Sequence, residues 1–196
     1  MLTRTNYTNE LGSLIDKEVV LSGWVHDVRV LGGINFVLLR DAGGIIQVTA
    51  IKEKTDKKII DIFSKLHQED VISVKGKVVR SKVAKIGIEI IPSEMEVVSK
   101  SAVPLPLDPR EVTPANFDTR MDSRVLDLRK PENLAIFKIQ AKLMAAMHEF
   151  LSSKGFINVN TPSLMGGASE SGAEVFKVDY FGGEAFLRQD PQLHRQ

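Results

Sequence analysis

Side chains able to do chemistry are thinly spread along this chain, and their spacing excludes more than it selects. The run GGASESGAE (Gly166 to Glu174) invites a phosphate-cradle reading. It lacks the Gly-Lys-Ser/Thr ending of a P-loop and the spacing of a dinucleotide fingerprint, so both are rejected. The four histidines show no paired metal-ligand spacing, and no structural metal is predicted. With no cysteine there is no disulfide framework, thiolate site or Cys nucleophile, which suits a reducing compartment. Asp and Glu are scattered, and no carboxylate pair follows from sequence alone. The formal net charge is +1, so any contact with nucleic acid must come from local placement of Lys and Arg rather than from a global basic field.

The elements that would position such residues fall into two halves. From Lys17 to Val98 short β-branched runs alternate with turn signals. EVVLSGWVHDVRV is a first strand, with Gly23 letting a long strand bend; INFVLLRD and IIQVTA follow across LGG and DAGG turns. Ile59, Ile62, Phe63 and Leu66 recur at helical spacing, predicting a short amphipathic helix in DKKIIDIFSKLHQ. DVISVKGKVVR and IGIEII are two more strands. Three strands, one helix and two strands is the order of an OB-fold. Trp24 reads as a buried barrel filler.

Residues 101–132 carry five prolines and little apolar periodicity, so they form a connector between a domain at 1–100 and another at 133–196. Ile136, Ile139, Leu143, Met147 and Phe150 then mark one face of a helix over 133–154, with Pro131 near its start and Gly155 just past its end. FINVN is predicted as a strand, LMGGASESGAE as a loop, and VFKVDYF and EAFLRQ as strands. A helix and a few strands leave sheet edges and a helix face uncovered, so the second domain is expected to be incomplete.

The wording of these segments is that of a known family. GWVHDVRVLGGINFVLLRDAGGIIQV (Gly23 to Val48) resembles the anticodon-binding barrel of class II synthetases for Asp, Asn and Lys. PLPLDP followed by DTRMDSRVLDLRKPENLAIFKIQ is similar to the hinge and first catalytic helix of aspartyl-tRNA synthetases of the archaeal and eukaryotic type. GFINVNTPSLMGGASESGAEVF is similar to the first class II signature motif, with its Pro162, and FLRQDPQLHRQ to the Gln-Ser-Pro-Gln-Leu-Tyr-Lys-Gln stretch. The resemblance covers essentially the whole chain. It implies a five-stranded OB-fold barrel followed by the truncated start of a class II synthetase antiparallel-sheet catalytic domain.

It also implies roles. Phe36 matches the stacking aromatic, Gln47 the amide that reads an anticodon base, and Glu89 a carboxylate accepting from base donors. Unpaired bases are read by stacking and by hydrogen bonds to their edges, so these residue types suit the task. Taken alone, Phe36 reads as barrel interior and the other two as solvated strand positions. Arg29 is a candidate phosphate contact. His26 stands where many members specific for the aspartate tRNA carry Trp, and its smaller ring resembles members that also charge the asparagine tRNA.

In the second half, Glu170 and Gln192 match residues that contact the aspartate substrate. Arg195 stands where the family has a Lys pairing with the substrate side chain, an exchange that is not neutral in a snug pocket. Asp190 and His194 also depart from the pattern. Glu170 and Arg195 taken alone are a solvated carboxylate and an exposed cation. The second and third family motifs, which hold ATP and Mg²⁺, do not occur in these residues. The chain by itself is therefore expected not to activate aspartate.

The implied function is aspartate–tRNA ligation, with L-aspartate, ATP, tRNA(Asp) and, through His26, tRNA(Asn) as partners and a homodimer as the assembly. Asparaginyl synthetases share the barrel and first motif, but Arg195 suits a carboxylate better than an amide. A non-catalytic tRNA-binding module is the alternative from another class. A general single-strand OB protein fits less well with a net charge of +1. No apolar run reaches the roughly 18 residues of a membrane span, and the expected location is the cytoplasm.

Overall fold

The computed structural model describes residues 2–110, 112–167 and 175–188, and it divides into two compact units, Met1–Asp127 and Leu128–Gln196. In the first, β1 (Glu18–Val30), β2 (Ile34–Arg40), β3 (Ile45–Ile51), β4 (Val71–Arg80) and β5 (Ile88–Ser99) close into a barrel in the order β1-β2-β3-β5-β4. All ladders are antiparallel except β3 with β5, which pair Gln47 with Glu89 and Val48 with Ile90.

Period-two alternation fills this barrel. Val19, Leu21 and Val25 of β1, Val37 and Leu39 of β2, Ile46, Val48 and Ala50 of β3, and Ile72, Val74 and Val78 of β4 share one buried core. Helix α1 (Lys57–Phe63) adds Ile59 and Phe63; it begins at Asp56, whose carboxylate accepts the Lys58 N–H. Asn35 also points inward, with both amide atoms buried and without a hydrogen-bond partner among the described residues, a local cost inside an otherwise apolar barrel.

Two expectations about the barrel are corrected here. Trp24 is not a barrel filler: Val25 takes the inward position beside it, and the indole is 38% exposed. The last strand does not stop at Ile91 but runs on to Ser99. It passes Pro92 at a register shift opposite Gly76, where the missing proline N–H interrupts the ladder only locally. A Cβ on Gly76 would stand 2.4 Å from the Ile91 carbonyl, so the glycine lets the two strands meet. Gly23 likewise serves close approach, a Cβ there falling 2.3 Å from the Arg40 carbonyl.

The proline-rich stretch after β5 is tied to the barrel. Asp70, fully buried, accepts the Ser101 N–H and the Lys100 ammonium, both at 2.8 Å. Asp108 accepts from Gln68, and Arg110 donates to both Asp108 and Asp27. Two short helices that periodicity did not reveal, α2 (Phe117–Asp122) and α3 (Arg124–Asp127), follow; Arg120 and Arg124 both pair with the buried Asp127.

In the second unit, α4 (Pro131–Ser153) starts on Pro131 and ends before Gly155, which takes φ +84°. The sheet β6 (Leu164–Met165), β8 (Gly183–Leu187) and β7 (Lys177–Tyr180), in that order, is antiparallel. FINVN is not a strand, because no segment among the described residues offers it a ladder. Leu164 and Met165, read as loop, are a strand because β8 does pair with them.

Candidate nucleic-acid interface

The inward alternation of β2 leaves Phe36 on the outer face of the barrel, half-buried, between Arg29 on β1 and Thr49 on β3. Gln47 lies diagonally beside it on the same face of β3, and the parallel pairing of β3 with β5 sets Glu89 next to Gln47. Beside Phe36, the side chains of Gln47, Glu89 and Thr49 form a bonded network. Gln47 Nε2 donates to Glu89 Oε2 at 2.8 Å and to Thr49 Oγ1 at 3.1 Å, and Thr49 Oγ1 donates to the same carboxylate oxygen at 2.6 Å. A carboxylate only accepts, so the amide nitrogen must face it and the Gln47 carbonyl points elsewhere. Together the Gln47 carbonyl and the second Glu89 oxygen form an acceptor pair suited to base amino and imino groups.

Over this face lies a groove of about 750 Å³, lined by His26, Arg29, Phe36 and Gln47, with the β4–β5 turn, Val83 to Ile86, along its side. The turn is held rather than loose. Ser81 Oγ accepts from the Val83 and Ala84 N–H groups, Gly87 N–H donates to the Ala84 carbonyl, and Ala84 is buried. Val83 and Ile86 stay exposed above it.

His26 reaches the groove because it is the extra residue of a bulge: Val25 pairs with Leu39 and Asp27 with Leu38, leaving His26 unpaired in the ladder. Its Nδ1 lies 3.1 Å from Arg40 Nη1. Arg40 in turn makes two 2.8 Å bonds to Glu69, whose side chain is only 3% exposed. Burial holds the His26 pKa below the ordinary 6.5, with Arg40 and Arg110 pushing the same way against the carboxylates of Glu69 and Asp27. Arg29 is largely exposed and pairs through Nε with Asp27 at 3.2 Å, so its fork remains available to an anion in the groove.

Of the sequence-predicted residues, His26, Arg29, Phe36 and Gln47 thus line one groove, and Glu89 is bonded into it. Glu170, Gln192 and Arg195 lie outside the described residues. Sequence reading missed Thr49, Arg40, Glu69 and the β4–β5 turn. Thr49 had a signal, since it sits two residues from Gln47 on the same strand face; the other three are brought in by pairings distant in sequence.

Residues 19–98 match the family described as OB-fold nucleic acid binding domain, and residues 116–196 the class II tRNA synthetases for D, K and N. An OB-fold nucleic-acid-binding domain thus precedes a segment of the class II synthetase domain in this chain. It is 46% identical over 194 residues to the aspartate–tRNA(Asp/Asn) ligase of Methanococcus vannielii, a match covering 98% of this chain and 44% of that protein. To the aspartate–tRNA(Asp) ligase of Pyrococcus horikoshii it is 46% identical over 196 residues, covering 100% of this chain and 45% of the relative. Asparaginyl-tRNA synthetase from Pyrococcus horikoshii, solved with asparaginyl-adenylate, superposes with a TM-score of 0.87 at 31% identity, over 99% of this chain and 44% of that one. The chain therefore spans less than half the length of these relatives.

Proposed function

We propose that this chain supplies the anticodon-reading domain and the opening part of the catalytic domain of an aspartate–tRNA ligase. In that reaction a carboxylate oxygen of L-aspartate attacks the α-phosphorus of ATP, pyrophosphate leaves, and the 3′-terminal ribose hydroxyl of tRNA then takes the aspartyl group, releasing AMP. Residues 1–100 would read the anticodon, 101–132 connect, and 133–196 open the catalytic domain. The observation that carries the reading is the convergence of Phe36, Gln47 and Glu89 on the outer face of the barrel, in a chain whose relatives include aspartate–tRNA ligases. Phe36 stacks on a base, Gln47 and Glu89 accept from base donors, and Arg29 takes a phosphate.

His26 supports acceptance of both tRNA(Asp) and tRNA(Asn), as the name of the Methanococcus relative has it for that enzyme. Glu170, Gln192 and Arg195 are assigned to the aspartate substrate. No group of three His, Asp or Glu side chains among the described residues is placed to hold a metal, and no contact with ATP or Mg²⁺ is assigned to them. The exposed row Ile136, Ile139, Leu143, Met147 and Phe150 on α4 is assigned to a homodimer interface. No helix among the described residues is long and apolar enough to cross a membrane, and we place the protein in the cytoplasm.

Binding of tRNA(Asp), tRNA(Asn) and an unrelated tRNA to the 196-residue chain tests the reading. Both cognate tRNAs are expected to bind more tightly than the unrelated one. Phe36→Ala should weaken cognate binding by about 1–3 kcal/mol, the worth of one stacked base. A folded chain that treats all three tRNAs alike would overturn it.

A further inference from the structure

We propose that the Arg40–Glu69 ion pair is a positioning device that fixes His26 as the neutral tautomer protonated on Nε2, so that the groove presents a standing N–H donor to an acceptor atom of the bound RNA. This rests on the anticodon-reading function proposed above.

The geometry leaves one assignment. A guanidinium has donors only, so an imidazole nitrogen 3.1 Å from Arg40 Nη1 must offer its lone pair. That nitrogen is Nδ1, and in the neutral ring the proton then sits on Nε2. The opposite tautomer, or the imidazolium, would set two N–H donors against each other. Arg40 has little freedom to turn away: Glu69 grips its Nη2 with both oxygens at 2.8 Å, and the Arg40 side chain is 12% exposed. Glu69 is itself fixed, its N–H donating to the Val25 carbonyl at 2.7 Å and its backbone held at φ +67°, a conformation rare for a non-glycine residue.

Among the described residues His26 Nε2 has no hydrogen-bond partner, and the ring lines the groove beside Phe36 and Gln47. A polar atom set this way is open to a ligand. Gln47 and Glu89 offer acceptors on the neighbouring strands, so His26 adds the complementary donor. The charged groups around the ring are Arg40, Glu69, Asp27 and Arg110, and burial with the two guanidiniums keeps it neutral near pH 7.

The test uses the full chain with ¹⁵N-labelled histidine and an RNA stem-loop carrying the aspartate anticodon. The long-range ¹H–¹⁵N spectrum should show His26 with an unprotonated Nδ1 and a protonated Nε2, the signals being assigned by their loss in His26→Phe. A ring protonated on Nδ1, or an averaged one, overturns the positioning claim whether or not RNA binds. Removing the whole ion pair in Arg40→Met/Glu69→Met should average the tautomers. His26→Phe should weaken stem-loop binding about fivefold, the worth of one hydrogen bond. His26→Gln, whose amide places a donor near the Nε2 position, should restore most of it. Equal binding by wild type and His26→Phe overturns the donor claim. Methylphosphonate linkages and abasic nucleotides, introduced one at a time in the anticodon, tell a phosphate acceptor from a base acceptor: the His26→Phe penalty disappears with whichever carries the contact. If the stem-loop binds no better than one with an unrelated anticodon while that penalty persists, the anticodon reading fails and the donor stands.

Discussion

Between Glu18 and Ser99 each strand sends alternate residues into a shared interior, whereas along α4 the apolar side chains of Ile136, Ile139, Leu143, Met147 and Phe150 stand 50–68% exposed. The two segments are comparably apolar in pattern. What differs is the supply of partners: the barrel closes on itself, so each strand finds ladder neighbours on both sides, and α4 buries none of its residues. Amphipathic pattern prepares a face for burial, and burial stabilises only when another element covers it.

Limited proteolysis should give the largest contrast, with the second unit lost first and a resistant product ending near Asp127. Asp70 and Asp108 tie the segment after β5 to the barrel, and Asp127 joins α2 to α3 within it. A resistant piece ending near the last barrel strand would show that these ties add nothing. In urea titrations, Phe63→Ala at a fully buried site should cost about 3–5 kcal/mol. Phe150→Ala, on the exposed face, should stay within about 0.5 kcal/mol, and equal costs would dissolve the distinction between the units.

Acid titration sharpens the comparison at a finer scale. Burial alone would raise the Asp108 pKa, but hydrogen bonds from Arg110 and Gln68 and the charge of Arg110 bring it from 3.8 down to about 2. A carboxylate with a depressed folded pKa adds stability above its unfolded value and loses it as pH falls through the folded one. Asp108→Asn should therefore cost about 1 kcal/mol at pH 7, allowing for partial solvent screening, and the difference should fade as pH drops from 4 to 2. A penalty independent of pH would mean that packing, not charge, holds this segment.

The smallest effect concerns His26. Its folded pKa lies below 6.5, so below that pH the unfolded chain binds the extra proton and stability declines. His26→Gln should remove that slope, to be read from thermal midpoints between pH 7 and 5. An unchanged slope would place the titration elsewhere.

Most of the barrel was legible in the sequence because its strands carry a period of two over long runs. Ile72, Val74, Gly76 and Val78 were read as one face, and all four are buried. The end of β5 was not legible, since Pro92 reads as a stop, and only the register shift opposite Gly76 lets the strand continue. Phe36 is the instructive residue. Composition argued for the interior, and the phase set by Val37 and Leu39 turns it outward, beside the face holding Gln47.

The sequence by itself determined the strand phases, the start of α4 near Pro131, the connector prolines and the family wording, because each is carried by residues within a few positions of one another. Only the tertiary structure decided that Thr49 joins Gln47 and Glu89, that a bulge aims His26 into the groove, and that Arg40 and Glu69 hold it there. Those contacts join segments up to 42 residues apart, and their hydrogen bonds depend on ladder register, which exists only once the barrel has closed.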